Sequence, residues 1–316
     1  MVIPVSSRIV VIGSSNTDMV IKTSRIPRPG ETILGGDFFM NAGGKGANQA
    51  VAAARLGGNV SFIGKMGSDV FGKEAIASLS REKINTEFIF IDPVIPSGIA
   101  LITVDGHGEN CIVVAPGANA SLTIDDLDDI EEQILDSSLI LLQLEIPLPT
   151  VCHVAARAKK RGIPVILNPA PASELPDELL KNIAIITPNE SEGEILSGIQ
   201  INDWESAAIA SRKLQKRGAR TVVLTLGPRG ALVADAENSI PIPGYAVKAV
   251  DTTAAGDIFN GALSVYLSAG HTLVQAVDFA CRAAAISVTR LGAQDSAPYL
   301  SEIEQFSFAN HESNPN

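Results

Sequence analysis

From about Asn119 onward, short β-branched runs alternate with longer helical stretches, and this alternation constrains the chain more than any other feature. The runs are Leu139 to Leu144, Val165 to Asn168, Ile183 to Thr187 and Thr221 to Leu226. Strands separated by helices pair in parallel, with the helices covering both faces of the sheet. An earlier run, Arg8-Ile9-Val10-Val11-Ile12, stops at Gly13-Ser14-Ser15 and reads as a further buried strand ending in a loop. The carboxyl ends of such strands are where ligands gather. Two late segments, near Gly256 to Ser268 and Leu273 to Thr289, are rich in alanine and apolar on several sides, as helices lying on a sheet should be. The expected class is α/β, with a central, mostly parallel sheet flanked by helices.

Four short extended pieces interrupt this order. Met19 to Thr23 and Glu31 to Phe39 are split by the turn-forming Pro27-Arg28-Pro29-Gly30, and Gly98 to Val104 and Asn110 to Val114 are joined by Asp105-Gly106-His107-Gly108-Glu109, a hairpin signal. They imply a small β-sheet projecting from the main body, which reads as a lid. The expectation is one α/β domain over residues 1–309 with lid strands inserted at 19–39 and 98–114, and a disordered tail at 310–316.

Nearly half of the 316 residues are hydrophobic, enough to bury a large core. A formal charge of −11 argues against nucleic acid and anionic membrane surfaces as partners, since both select basic faces. No apolar run reaches the roughly 18 residues of a membrane span. The first residues lack a signal-peptide pattern, and Cys111, Cys152 and Cys281 are too scattered for a disulfide framework or zinc site. A cytoplasmic location is expected.

The richest segment for chemistry is Asp251-Thr252-Thr253-Ala254-Ala255-Gly256-Asp257, which leads into an apolar helix. Small residues ahead of a helix let backbone N–H groups face a ligand, and the helix dipole adds positive potential, so this is a candidate anion site. Asp257 is then either a plain helix cap or a general base, with the N–H groups of Ala254, Ala255 and Gly256 stabilising a transferred phosphoryl group. Asn41-Ala42-Gly43-Gly44-Lys45-Gly46-Ala47-Asn48-Gln49 opens an earlier alanine-rich helix and departs from the Walker A pattern, because Phe39 stands at the first glycine position. Its glycines read as letting the backbone approach a ligand, with Lys45 and Asn48 as donors; a turn with a solvated lysine is the plainer alternative.

Further candidates follow other strand ends. Asn16 and Asp18 can grip adjacent hydroxyls, or merely form a turn, and Glu145 can accept a hydroxyl or simply be exposed. Asn189 and Glu192, three apart on a first helical turn, suit either water-mediated magnesium binding or helix capping. Thr225-Leu226-Gly227-Pro228-Arg229-Gly230 is a nucleotide-binding candidate or a tight turn without a ligand.

Taken together, these segments resemble the ribokinase-like sugar kinases, the phosphofructokinase B type, from Ile9 to about Pro298. Gly43-Gly44-Lys45-Gly46-Ala47-Asn48-Gln49-Ala50 and Val250-Asp251-Thr252-Thr253-Ala254-Ala255-Gly256-Asp257 are its two specific signatures here. Asn168-Pro169-Ala170-Pro171-Ala172, Thr187-Pro188-Asn189-Glu190 and Arg290-Leu291-Gly292-Ala293-Gln294 resemble the members that phosphorylate D-ribose. The resemblance implies transfer of the γ-phosphoryl group of ATP to a sugar hydroxymethyl oxygen, O5 of D-ribose, with Asp257 as base. It implies a sugar site of Asn16, Asp18, Gly43, Gly44, Lys45, Asn48, Glu145 and Asp257. ATP would contact Asn189, Thr225, Leu226, Gly227, Pro228, Arg229, Gly230, Gly256 and Asp257, with adenine near Cys281, where a histidine is common in the family. Magnesium would be assisted through water by Glu192. An activating potassium ion would be held by Asp251, Thr253, Ser287, Arg290, Gly292 and Ser296, although Asp295 stands where proline is usual. A homodimer packed through the lid sheets is also implied.

Rival readings keep the fold and change the substrate, to deoxyribose, fructose, ketodeoxygluconate or a nucleoside. A nucleoside usually needs an aromatic wall, and aromatics make up only 4% of this chain, with Phe38, Phe39 and Trp204 as candidates. A non-catalytic sugar or nucleotide sensor is the rival of another class, and loss of the base would be its mark; Asp257 is present.

Overall fold

A computed structural model describes residues 7–306, so the expected tail at 310–316 lies outside the described residues. The chain runs β1 (Arg8–Ile12), β2 (Asn16–Lys22), β3 (Phe38–Gly43), α1 (Lys45–Arg55), β4 (Asn59–Ile63), β5 (Lys65–Gly67), α2 (Val70–Arg81), β6 (Phe90–Asp92), β7 (Gly98–Val104) and β8 (Asn110–Ala115). Then come α3 (Ile124–Asp128), α4 (Glu131–Leu135), β9 (Leu139–Leu142), α5 (Leu148–Arg161), β10 (Val165–Leu167), α6 (Asp177–Asn182), β11 (Ile185–Ile186), α7 (Glu190–Ser197) and α8 (Trp204–Lys216). The last are β12 (Thr221–Thr225), β13 (Gly230–Ala234), β14 (Ser239–Pro243), α9 (Ala255–Ser268), α10 (Leu273–Ser287) and α11 (Leu300–Gln305).

Eight strands form the main sheet in the order β14-β13-β12-β11-β10-β9-β1-β4. From β4 through β12 the pairing is parallel, and only β13 and β14 return antiparallel at one edge. Side chains alternate between two faces along a strand, and the buried residues obey this. Ile9 and Val11 of β1, with Leu139 and Leu141 of β9, join the core under α1, α9 and α10, while Val10, Ile12, Ile140 and Leu142 join the core under α5 and α8. Near-continuous apolar runs are therefore what this sheet requires, because both faces are covered.

A second sheet, β3-β2-β7-β8, stands apart from the first. β7 and β8 form the expected antiparallel hairpin, and β2 joins β3 antiparallel and β7 in parallel. One expectation is corrected here: most of Glu31 to Phe39 is not strand, and β3 instead runs from Phe38 into the glycine motif itself. Arg25, ion-paired to Glu31, ties the intervening loop to itself rather than to the sheet. Asn16 to Asp18 likewise belong to a strand and not a turn, because Asn16 and Asp18 pair with Gly43 and Asn41 across β3. Among the described residues no helix is long and apolar enough to cross a membrane.

Candidate active site

The chain leaves β1 toward β4 on one side and later returns to β9 on the other, so the carboxyl ends of β1 and β9 flank a topological switch point, where open α/β sheets bind ligands. The loops after these strands meet there. Ser14 Oγ donates to Glu145 Oε2 at 2.5 Å, and the same oxygen accepts the Lys45 N–H at 3.0 Å. Gly44 has φ 89°, and a Cβ on it would lie 2.7 Å from Ser15 Cα. That glycine seats the start of α1 against the β1–β2 loop, so the protein backbone itself demands it. Asn119 donates to Asn16 Oδ1 at 2.8 Å and exchanges bonds with the Ser15 backbone at 3.0 and 3.1 Å, which fixes the Asn16 amide with its oxygen engaged.

Four acidic side chains surround one lysine. Burial, with the charges of Glu145 and Asp257 behind it, pushes the Asp18 carboxyl up to about 6. Burial also raises Asp257, opposed by Lys45 and by donors from Asn48 and Gln49 and reinforced by Glu145. Glu192 is raised by burial against the Asn189 N–H and Lys45, with Asp257 adding to the rise. Burial would lower Lys45, but Asp257, Glu145 and Glu192 together outweigh it and hold the ammonium charged.

Asp257 lies in the first turn of α9, three residues past its N-cap, so it is not the capping residue. Its Oδ2 accepts Asn48 Nδ2 at 3.0 Å and its Oδ1 accepts Gln49 Nε2 at 2.9 Å. The N-cap is Ala254, at φ 59° and ψ 9°, a left-handed conformation that costs an alanine about 1 kcal/mol. Strain of this kind gathers at functional sites. The first intrahelical bond runs from Ile258 N–H to Ala254 C=O, and the Ala255 N–H already reaches Thr252 C=O at 3.3 Å. A Cβ on Gly256 would meet no protein atom within 4 Å. The missing side chain there is thus not demanded by protein packing, and it leaves a helix N-terminus open to a cavity of about 150 Å³. Lys45, Asn189, Glu192, Thr225 and Thr252 line that cavity along with Ala254, Ala255, Gly256 and Asp257.

The other candidates are placed as follows. Asn189 caps α7 and exchanges bonds with Glu192 in a capping box, Oδ1 accepting the Glu192 N–H at 2.8 Å, so the plain alternative for that pair holds even as both side chains face the cavity. Leu226 is buried, and Gly227, Pro228 and Arg229 form the short turn into β13, with Arg229 ion-paired to Glu190 and donating to Asn202 C=O at 2.7 Å. Gly230 begins β13. Cys281 lies on the buried face of α10, its thiol pushed up to about 12 by burial and then by Asp278, and it does not line the cavity. The loops at 251–253 and 287–292 meet at Asp251, whose two carboxylate oxygens accept the N–H groups of Thr253 and Gly292, both at 2.9 Å. Ser287 accepts the Arg290 N–H at 3.0 Å, Ser296 donates to Ala293 C=O at 2.8 Å, and Arg290 pairs with Glu302.

Several residues at the site escaped sequence reasoning: Gln49, Gln143, Asn168, Thr187, Asn260 and Asn119. Gln143 Nε2 donates to Gln49 Oε1 at 2.6 Å, Gln49 Nε2 also reaches Asn168 Oδ1 at 3.0 Å, and Thr187 Oγ1 donates to Asn260 Oδ1 at 2.7 Å. Gln143, a wholly buried amide directly after four apolar residues of β9, was the readable signal.

With a buried carboxylate, an adjacent lysine and an open helix N-terminus at the switch point, the comparisons are informative. The chain matches the pfkB family carbohydrate kinases over residues 6–300 and belongs to that family. It is similar to a ribokinase of Haemophilus influenzae, 46% identical with 94% of this chain and 97% of that protein covered. It is also similar to a deoxyribokinase of Salmonella typhi, 38% identical over 94% of this chain and 98% of that one. Among solved structures, Arabidopsis thaliana ribokinase complexed with ribose and ATP superposes with a TM-score of 0.89 at 33% identity, covering 96% of this chain and all of that one.

Proposed function

We propose that this protein is a ribokinase, an ATP-dependent carbohydrate kinase that moves the γ-phosphoryl group of ATP onto O5 of D-ribose to give D-ribose 5-phosphate. The observation that carries the reading is Asp257, a buried carboxylate held by Asn48 and Gln49 in the same helical turn as the open Gly256. In this reading Asp257 takes the proton as the hydroxymethyl oxygen attacks phosphorus, and the bond from the γ-phosphorus to the β–γ bridging oxygen breaks, releasing ADP. The N-terminus of α9, from Ala254 to Gly256, stabilises the charge spread over the transferred group. Asn16, Asp18, Gly43, Gly44, Lys45, Asn48 and Glu145 hold the sugar; the cavity wall of Asn189 and Thr225, with the turn at 226–230, receives the nucleotide.

Among the described residues no three His, Cys, Asp or Glu side chains converge as a metal-binding group. The cleft thus offers no cage for a bare divalent ion, and Glu192 on its wall, with Asp257 engaged by Asn48 and Gln49, fits a magnesium ion carried in on nucleotide phosphates with most of its water. Magnesium would offset the negative charge that triphosphate adds to a cleft already holding Asp18, Glu145, Glu192 and Asp257. A weakly hydrated monovalent cation such as potassium would be held mainly by carbonyl oxygens of the loops at 251–253 and 287–296, which the Asp251 carboxylate ties together through the Thr253 and Gly292 N–H groups. The described residues act as one kinase unit with the β3-β2-β7-β8 sheet as its lid. The exposed Phe38, Met40, Leu101, Ile112 and Val113 on that sheet support a homodimer formed lid to lid. Three unpaired cysteines suit a cytoplasmic setting.

The test is ATP consumption against ribose, deoxyribose, fructose, 2-keto-3-deoxygluconate and adenosine with magnesium, with and without potassium. Preference for ribose, raised by potassium, is expected. Preference for deoxyribose would move the substrate, and no turnover would favour a sensor. Asp257→Asn is expected to lower kcat by about 10²–10⁴-fold with ribose binding retained by calorimetry, and near-normal turnover would remove the base from the mechanism.

A further inference from the structure

We propose that Gln49, held in turn by Gln143, is a positioning residue that keeps the Asp257 carboxylate ionised and fixed in orientation for proton removal. The proposal rests on Asp257 being the base. Gln49 is wholly buried on α1, and its Nε2 faces two oxygens, Asp257 Oδ1 at 2.9 Å and Asn168 Oδ1 at 3.0 Å. Both are acceptors, so both amide hydrogens are spent and Gln49 Oε1 must accept. The group that meets it is Gln143 Nε2, at 2.6 Å. Were Gln143 turned over, two amide oxygens would face each other. Its orientation is therefore set by Gln49, and that of Gln49 by the charge on Asp257.

Gln143 accepts a cost in this arrangement: its Oε1 is buried and has no hydrogen-bond partner among the described residues. It continues the face of β9 that carries Leu139 and Leu141 under α1, where apolar side chains otherwise fill the space. A buried amide with an unmet acceptor, in place of an apolar side chain, needs a reason beyond packing. Support of Gln49 supplies it.

The relay also decides the protonation state of the base. Asn48 and Gln49 each donate to one oxygen of Asp257, which binds the carboxylate more strongly than the neutral acid and still leaves each oxygen a lone pair for the substrate proton. The charged groups that face Asp257 are Lys45 of α1, Glu145 after β9, Asp18 of β2 and Glu192 of α7. Lys45 is the only cation among them, so without the amide donors burial and three carboxylates would act on Asp257 against one ammonium. Gln49 tips that balance toward the anion, the form that can take a proton.

The experiment compares the full-length protein with Gln49→Met, Gln143→Met and Asp257→Asn in ATP-dependent ribose phosphorylation. It measures kcat, KM for ribose, the pH dependence of kcat and thermal melting. Gln49→Met is expected to lower kcat at least tenfold, change KM for ribose less than about threefold, and move the acid limb of the profile to higher pH, because the anion has lost a donor. Gln143→Met should do the same to a smaller extent, and it removes an unmet acceptor as it leaves one on Gln49, so its fold should persist. A folded Gln49→Met protein with wild-type kcat and an unmoved acid limb, beside an inactive Asp257→Asn, overturns the proposal while leaving the base in place. Equal losses in kcat and thermal stability with the limb unmoved also overturn it, since that is a structural role. If Gln49→Met does not fold, an unmoved limb in Gln143→Met overturns it. An active Asp257→Asn would instead remove the base on which the relay acts.

Discussion

Gly43→Ala tests whether Asp18 holds the sugar. A Cβ on Gly43 would lie 2.3 and 2.4 Å from the two carboxylate oxygens of Asp18, against at least 3.4 Å for ordinary contact, so the carboxylate must move about 1 Å. Gly43 does not have a positive φ, and its partner across β2 is Asn16, so the backbone admits an alanine; the three atoms nearest the new methyl all belong to the Asp18 side chain. A hydrogen bond to a charged group is worth about 1.5–3 kcal/mol, and each 1.4 kcal/mol is tenfold, so losing it should lower kcat/KM for ribose about 10- to 150-fold. KM should carry much of this loss, and the melting temperature should change little. Initial rates over a ribose series, with a thermal melt, measure both. A double-mutant cycle isolates the cause: in an Asp18→Ala background the new methyl meets no carboxylate, so Gly43→Ala should then cost less than about threefold. If the two losses simply add, the methyl acts through something other than Asp18, and the sugar-site geometry argued here is wrong.

Four other expectations follow from the same structure. Asp18 accepts more strongly from a sugar hydroxyl when ionised and its carboxyl is pushed up to about 6, so ribose affinity measured by calorimetry should weaken as pH falls through about 6, and Asp18→Asn should remove that dependence. For the free protein the sign reverses: between the ordinary carboxylate range and about 6 the folded state holds a proton the unfolded chain has released, so stability contributed by Asp18 falls as pH rises through that window, and urea titrations of wild type and Asp18→Asn should converge at low pH. Asp251→Asn places an amide NH₂ toward one of two N–H groups that now meet carboxylate oxygens, so it should raise the potassium concentration needed for half-maximal activity, and an unchanged potassium titration would count against the cation loop. Val113→Asp puts a charge on the exposed apolar face of the small sheet and should shift the sedimenting species from dimer to monomer; a wild type that is itself a monomer would refute the lid-to-lid arrangement.

The main sheet was legible because each of its parallel strands is buried on both faces, so β1 and β9 had to be written as unbroken apolar runs. The small sheet was harder to bound. β2 has one partly exposed face, and β3 starts only where the chain has already entered its glycine motif, so Glu31 to Asp37 carried extended-looking residues without a partner strand. The two loops that line the candidate site were legible as unusual runs of small residues ahead of helices. That a Cβ at Gly44 would meet Ser15 was not, because a glycine needed by the backbone and one needed by a ligand read alike in sequence.

The contact of Gln49 with Asp257 was illegible for a different reason. Asp257 and Gln49 are 208 residues apart, and they meet because α1 and α9 cross closely, where a Cβ on Gly261 would already lie 2.7 Å from that of Ala52. A helix crossing that tight needs small residues on both sides, which is why both helices carry alanine and glycine there. The alanines that marked these segments as helices on a sheet are thus also what bring the amide of Gln49 within reach of the base. The same crossing places Lys45, at the start of α1, among the acidic groups of the site, so one packing contact supplies both the cation that offsets their charge and the donor that holds Asp257 in its anionic form.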